Sequence, residues 1–216
     1  TNILECLNYY QSTKKTKFQR FVYFSSSMVY GDFKKNKAYE KDETNPKEIY
    51  GTMKLAGEIA TKGLCNFYNI PYTIIRPSAV YGPTDMNQRV TQIFLEKAIK
   101  GETLIINGKD EKLDFTFVED LANGSILAAL SKKALNQTFN ITFGKAMTLY
   151  QYVKILSKYF PRLKYIFKER DHQRPKRGTL SISKAKKLLN YRPYFNLEKG
   201  MKKYVEFAKS FMEEKK

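Results

Sequence analysis

Apolar residues along the chain follow two rhythms, one suited to helices and one to buried strands. Residues 2–10 place Ile3, Leu4 and Leu7 on one side of a short helix. Phe21-Val22-Tyr23-Phe24 is a compact β-prone run. Residues 32–49 are polar and irregular, and a helical pattern then runs from about Gly51 to Tyr68. Tyr72 to Arg76 reads as a second strand, entered from Pro71 and stopped by Pro77 and Tyr81-Gly82-Pro83. Residues 90–100 return to the helical period, with Ile93, Phe94 and Ala98 as the buried face. Further strands are expected at 104–106, 114–118, 138–141 and 164–167. Helices are expected at 119–131, at 148–160 and from Leu197, where Met201, Tyr204, Val205 and Ala208 share a face. Thr148 and Gln151 have the spacing of a capping box. Continuous apolar strands alternating with helices predict a mainly parallel α/β protein.

The first strand runs into Ser25-Ser26-Ser27-Met28-Val29-Tyr30-Gly31. Small hydroxyl residues there lie at the carboxyl edge of the sheet, where open α/β sheets bind ligands. Tyr50 and Lys54 follow, four apart and so on one helical face. An ammonium beside a phenol favours the phenolate. Such a tyrosine can exchange a proton with an alcohol near neutral pH. Alone, the pair is an ordinary feature of a lysine-rich helix. The serine run gives it weight, because a serine hydroxyl and a phenolate can together hold one substrate oxygen.

Charge narrows the partners. Lys plus Arg number 39 against 21 Asp plus Glu, a net +18. The lysines are scattered rather than gathered into an arm, and residues 184–187 and 199–203 fall in helical patterns as solvated faces. Phosphate-bearing small molecules suit this surface, and nucleic-acid binding is not expected as the main task. No run approaches the ~20 apolar residues of a membrane span. Cys6 and Cys65 are expected in the core and His172 at the surface. These residues have no metal-site spacing, and two cysteines suit a reduced, cytoplasmic setting.

Five ordered segments make the chain resemble the extended short-chain dehydrogenase/reductases, in particular their nucleotide-sugar epimerase and dehydratase branch. They are residues 21–31, Tyr50-Gly51-Thr52-Met53-Lys54 with Ala56 and Glu58, Arg76-Pro77-Ser78-Ala79-Val80-Tyr81-Gly82-Pro83, residues 114–122, and the tail from Ser183 to Gly200. The resemblance implies a partial doubly wound, Rossmann-like parallel sheet with a smaller substrate-binding lobe. It implies NAD as cofactor and a nucleotide-diphosphate sugar as substrate. It makes Tyr50 the acid/base, Lys54 the partner of the nicotinamide ribose, and Ser26 the hydroxyl on the reacting sugar oxygen. Ser25, Pro77 and Ser78 are then expected beside the cofactor. Ser27, Ala79, Arg89, Leu104, Ile105, Arg174 and Arg177 are expected beside the substrate.

Departures from the family pattern shape the expectation further. No G-x-x-G-x-x-G run occurs, so about ninety residues of the usual nucleotide-binding half have no counterpart. Residues 1–83 are expected to finish a dinucleotide-binding domain, and 84–216 to mix the substrate lobe with returning Rossmann elements. A missing amino-terminal Rossmann half is an expected partner, and a homodimer a further assembly. Ser27 and Met28 stand where dehydratases and decarboxylases of the branch carry an acid. This favours 4-epimerisation through a keto-sugar, as in a UDP-glucose 4-epimerase, over a dehydratase, decarboxylase or reductase. A non-catalytic binding or scaffold remnant is the third alternative. The family often has asparagine at Ala79 and arginine at Leu113. Lys112, Arg89, Arg170, Arg174 and Arg177 are the cations available instead, Arg174 first and Arg177 next within the loop at 169–178.

Overall fold

The computed structural model describes residues 2–14 and 17–213. Its central element is a parallel sheet of β1 (Phe21–Phe24), β3 (Tyr72–Arg76) and β8 (Gln137–Asn140), in the order β1-β3-β8. The register pairs Phe24 with Ile75 and Arg76 with Asn140. Strand β3 is buried along its whole length. Tyr72 and Ile74 pack with Leu4 and Cys65, from α1 (Asn2–Thr13) and α2 (Ile49–Phe67). Ile75 faces the other way, onto Ala128 of α4 (Val118–Leu130) and Ala185 and Leu189 of α6 (Ser183–Leu189). Burial on both faces is why these strands read as apolar runs. The α/β expectation is met, with the two leading strands adjacent and parallel, whereas the strand expected at 114–118 is confined to Thr116–Phe117 because Val118 already opens α4.

Local signals set the boundaries. Helix α3 (Val90–Lys100) stops at Gly101, whose φ of 71° is left-handed. Helix α5 (Leu149–Ser157) opens with both bonds of the Thr148–Gln151 capping box. It ends three residues before Phe160, earlier than the sequence suggests. Arg20 closes the carboxyl end of α4 by donating to the carbonyls of Ala128, Ala129 and Ser131. The polar stretch after the serine run holds one short strand, β2 (Lys37–Ala38), parallel to β11 (Thr179–Leu180).

A second core lies around β4 (Val80–Tyr81), β5 (Leu104–Asn107) and β7 (Thr116–Phe117), enclosed by α3, α5 and α7 (Leu197–Glu213). Met201, Tyr204 and Val205 of α7 are buried in it, as their spacing predicts. Strand β10 (Tyr165–Lys168) pairs with β5, and β6 (Lys112–Leu113) runs antiparallel to β9 (Met147–Thr148). Three side chains differ from expectation. Cys6 is exposed while Cys65 is buried. Ile3 and Ile93 also point outward, because α1 and α3 turn Leu4 and Phe94–Leu95 to the interior instead. His172 is exposed. Of residues 213–216, which the sequence leads one to expect to fray, Glu213 ends α7 and the other three lie outside the described residues. No helix among the described residues is long and apolar enough to cross a membrane.

Asp114 ties the two cores together. Its fully buried carboxylate accepts from Thr142 Oγ1 at 3.2 Å, Gly144 N at 3.1 Å and Leu180 N at 3.0 Å. Burial outweighs these hydrogen bonds and pushes the carboxyl up to about 6. Between its ordinary value of 3.8 and about 6, the folded chain therefore holds a proton that the unfolded chain has released. Stability from this group is present below that window and lost as pH rises through it. Urea unfolding of the wild type and Asp114→Asn should show their stability difference shifting against the wild type by up to about 3 kcal/mol between pH 4 and 7. A pH-independent difference would contradict this reading.

Candidate active site

The site begins where β1 ends. Ser25 N donates to Ile75 O at 2.8 Å and Ser27 N to Pro77 O at 2.9 Å, so the β1–β3 register continues through the serine turn. Ser26 then caps a 3-10 helix (Ser27–Tyr30), its hydroxyl oxygen accepting from Met28 N at 3.2 Å. That bond uses the oxygen as acceptor and leaves the hydroxyl proton for a substrate oxygen. Gly31 turns the chain with φ of 65°.

Helix α2 brings Tyr50 to this turn. A β-carbon on Gly51 would lie 2.6 Å from the Met28 carbonyl oxygen, so the glycine lets the first helical turn rest directly on the 3-10 helix. Tyr50 is 47% exposed, leaving its ring open to a ligand. Lys54 Nζ donates to Phe24 O at 2.8 Å and lies 5.8 Å from the Tyr50 ring centre. The lysine thus bridges the end of β1 and the tyrosine, as their helical spacing predicts. One turn further along α2, the fully buried Glu58 receives a hydrogen bond from Ser25 Oγ at 2.5 Å. Ser25, expected beside a cofactor, therefore directs its hydroxyl into the protein.

The remaining candidates fall around this centre unevenly. Pro77, Ser78 and Ala79 follow β3, and Ala79 has a left-handed φ of 38°, which an alanine tolerates poorly. Leu104 is buried in the second core, whereas Ile105 on the opposite face of β5 is 39% exposed. Only Ile105 can offer its side chain to a ligand. Arg89, at the amino end of α3, is exposed.

The basic loop is pinned to the serine-turn side of the molecule. Lys176 N donates to Asp32 Oδ1 at 2.6 Å, and Phe33 N to Lys176 O at 2.8 Å. Arg170 pairs with Glu111 at 2.8 Å, and exposed Arg174 with Asp171 at 3.5 Å. Arg177 is half-buried and makes no hydrogen bond or ion pair among the described residues. Burial draws its guanidinium down to about 10, with Arg174 and Arg89 acting in the same direction and Glu48 and Glu111 opposing. The charges of Arg174 and Arg89 are thus near enough to act on Arg177.

Sequence reasoning missed the buried partners of the site. Arg76 places Nε 2.8 Å from Glu58 Oε1 and Nη2 2.7 Å from Glu58 Oε2. The available signal was an arginine closing an apolar strand and a glutamate one turn beyond Lys54.

Two glycines of α2 test how the helix is seated. Gly51→Ala should destabilise the chain by about 1–3 kcal/mol in urea unfolding, since a backbone carbonyl must move. Gly63→Ala meets nothing within 4 Å and should stabilise by about 1 kcal/mol. Equal effects from the two would contradict the close contact.

The NAD dependent epimerase/dehydratase family model matches residues 1–142. An uncharacterized UDP-glucose epimerase, YtcB, from Bacillus subtilis is 30% identical over 207 residues, 93% of this chain and 64% of the relative. The UDP-glucuronate 4-epimerase 5 of Arabidopsis thaliana is 29% identical, over 98% of this chain and 53% of its own length. Among solved structures, UDP-glucuronic acid 4-epimerase from Bacillus cereus, in complex with UDP-glucuronic acid and NAD, superposes with a TM-score of 0.87 at 25% identity. The match covers 97% of this chain and 67% of that one. UDP-glucose 4-epimerase from Thermotoga maritima, with UDP-glucose, gives the same TM-score and coverage at 27% identity. The chain spans between about half and two thirds of the length of the curated relatives it matches.

Proposed function

This chain belongs to the NAD dependent epimerase/dehydratase family, and we propose that it supplies the proton-transfer and sugar-nucleotide side of an NAD-dependent nucleotide-sugar 4-epimerase. The observation that carries the proposal is the convergence of Ser26, Tyr50 and Lys54 at the carboxyl end of β1.

The residues fit the nicotinamide-ribose end of a dinucleotide. Lys54 spends one of its three donors on Phe24 O, and Tyr50 is open beside it. NAD, when bound, accepts the hydride from the sugar carbon and returns it. Tyr50 takes the proton of the sugar hydroxyl and gives it back after the keto-sugar has turned its other face. Ser26 donates to the same oxygen and holds it through both steps. Arg177, Arg174 and Arg89 present guanidinium groups to the diphosphate, whose oxygens match the arginine fork. Ile105 and Asn107 on β5 lie toward the base. Ser27 and Met28 provide no acid to expel a hydroxyl, which favours epimerisation over loss of water.

The phosphate end of the cofactor needs a partner structure. No glycine-rich strand–turn–helix occurs among the described residues, and that turn is where a helix amino terminus holds a pyrophosphate. Strand β1 pairs only with β3 among the described residues. Yet Val22 packs on one sheet face and Phe21 and Tyr23 on the other. A strand partly covered on both faces with one open edge suits a further parallel strand, and a Rossmann half carrying the phosphate turn would complete it.

Two measurements test the reading. In a preparation that turns over UDP-sugar with NAD, Tyr50→Phe should lower kcat by about 10²–10⁴-fold while calorimetry shows sugar-nucleotide binding retained. An active Tyr50→Phe variant would end the assignment. Mass spectrometry of the product should show an isomer of the substrate, and loss of one water would instead identify a dehydratase.

A further inference from the structure

Glu58 and Arg76 form a bidentate ion pair sealed from solvent, joining the helix that carries Tyr50 to the middle strand of the sheet. The pair is extended at both ends. Ser25 Oγ donates to the same Glu58 oxygen that Arg76 Nε engages. On the other side, the Arg76 guanidinium lies 4.8 Å from the Tyr30 ring centre and donates to Glu40 O at 3.2 Å. Tyr30 OH donates to Asn140 Oδ1 at 2.8 Å, and Asn140 N donates to Glu40 Oε1 at 3.0 Å. The network therefore touches the turn after β1, the 3-10 helix, α2, β3 and β8.

A buried ion pair is a poor source of stability, because well-packed apolar residues often hold two elements together at least as well. What the fork supplies is direction. Two parallel hydrogen bonds fix the rotation and the axial position of α2 against β3, and apolar contact fixes neither as tightly. Tyr50, Lys54 and Glu58 are spaced four apart and share a helical face, so fixing Glu58 fixes the azimuth of Tyr50. Ser25 adjoins Ser26, so the Ser25–Glu58 bond ties the serine turn to that same helix.

We infer that Ser25, Glu58 and Arg76 are positioning residues that hold the Ser26 hydroxyl and the Tyr50 phenol in register for one substrate oxygen. The inference rests on the proposed roles of Ser26 and Tyr50. It requires that the network act on alignment and not only on folding.

Ser25→Ala is the informative variant, since it leaves the Glu58–Arg76 fork intact and strands no buried charge. In the chain itself, amide exchange followed by NMR should accelerate at Met28, whose N–H is held by Ser26, by about tenfold. The amide of Ile74 in the middle of β3 should keep its wild-type rate. In the preparation that turns over, kcat should fall about tenfold with KM within a factor of two, and Ser25→Thr, which keeps the hydroxyl, should restore kcat. Wild-type exchange at Met28 overturns the inference. So does wild-type kcat in Ser25→Ala when Tyr50→Phe is inactive, an outcome that leaves the functional reading standing. A fall in kcat matched by an equal loss of folded protein, with no rescue by threonine, also overturns it. If Tyr50→Phe stays active, the functional reading fails separately.

Discussion

The arrangement of this chain turns on a single buried contact, the fork between Glu58 of α2 and Arg76 of β3. Everything at the carboxyl end of the sheet is placed relative to it. The serine turn hangs from it through Ser25, and the 3-10 helix is stacked on it through Tyr30. Strand β8 is linked through Asn140. The two charges cannot be left singly in the interior, since breaking such a pair costs about 3–5 kcal/mol. Glu58 and Arg76 must therefore stay together, and that necessity makes the neighbouring geometry specific.

Apolar burial provides the cohesion that the fork directs. The sheet is enclosed by α1 and α2 on one face and by α4 and α6 on the other. A second, larger core gathers Tyr81, Phe117, Tyr152 and Tyr204 beneath the loop that leads from β3. Asp114 connects the two with three hydrogen bonds and no cation. Polar groups thus appear at the seams between apolar bodies.

Much of this was legible in the sequence where local chemistry decides the outcome. Pro71 and Pro77 bracket β3, and Gly101 ends α3, so both elements fall where their patterns place them. Tyr50 and Lys54 were readable because helical spacing alone puts them on one face. The orientation of short helices was less legible. Residues 2–13 and 90–100 carry apolar side chains on several sides, and only tertiary contact turned Ile3 and Ile93 outward. Leu104 shows the same limit in a strand, where alternation hides it and exposes Ile105. The Glu58–Arg76 pair was least legible of all. Its members are 18 residues apart, and charge patterns do not reveal burial.

The central claim is that the Ser26 hydroxyl and the Tyr50 phenol form one oxygen-binding site. The most direct test is a crystal structure of a preparation that turns over, made inactive by Tyr50→Phe and bound to its sugar nucleotide and NAD. The account predicts a single sugar hydroxyl oxygen within about 3 Å of Ser26 Oγ, lying against the ring edge where the Tyr50 phenol oxygen would stand. A sugar whose reacting oxygen contacts neither residue, or approaches residue 50 without contacting Ser26, would contradict it.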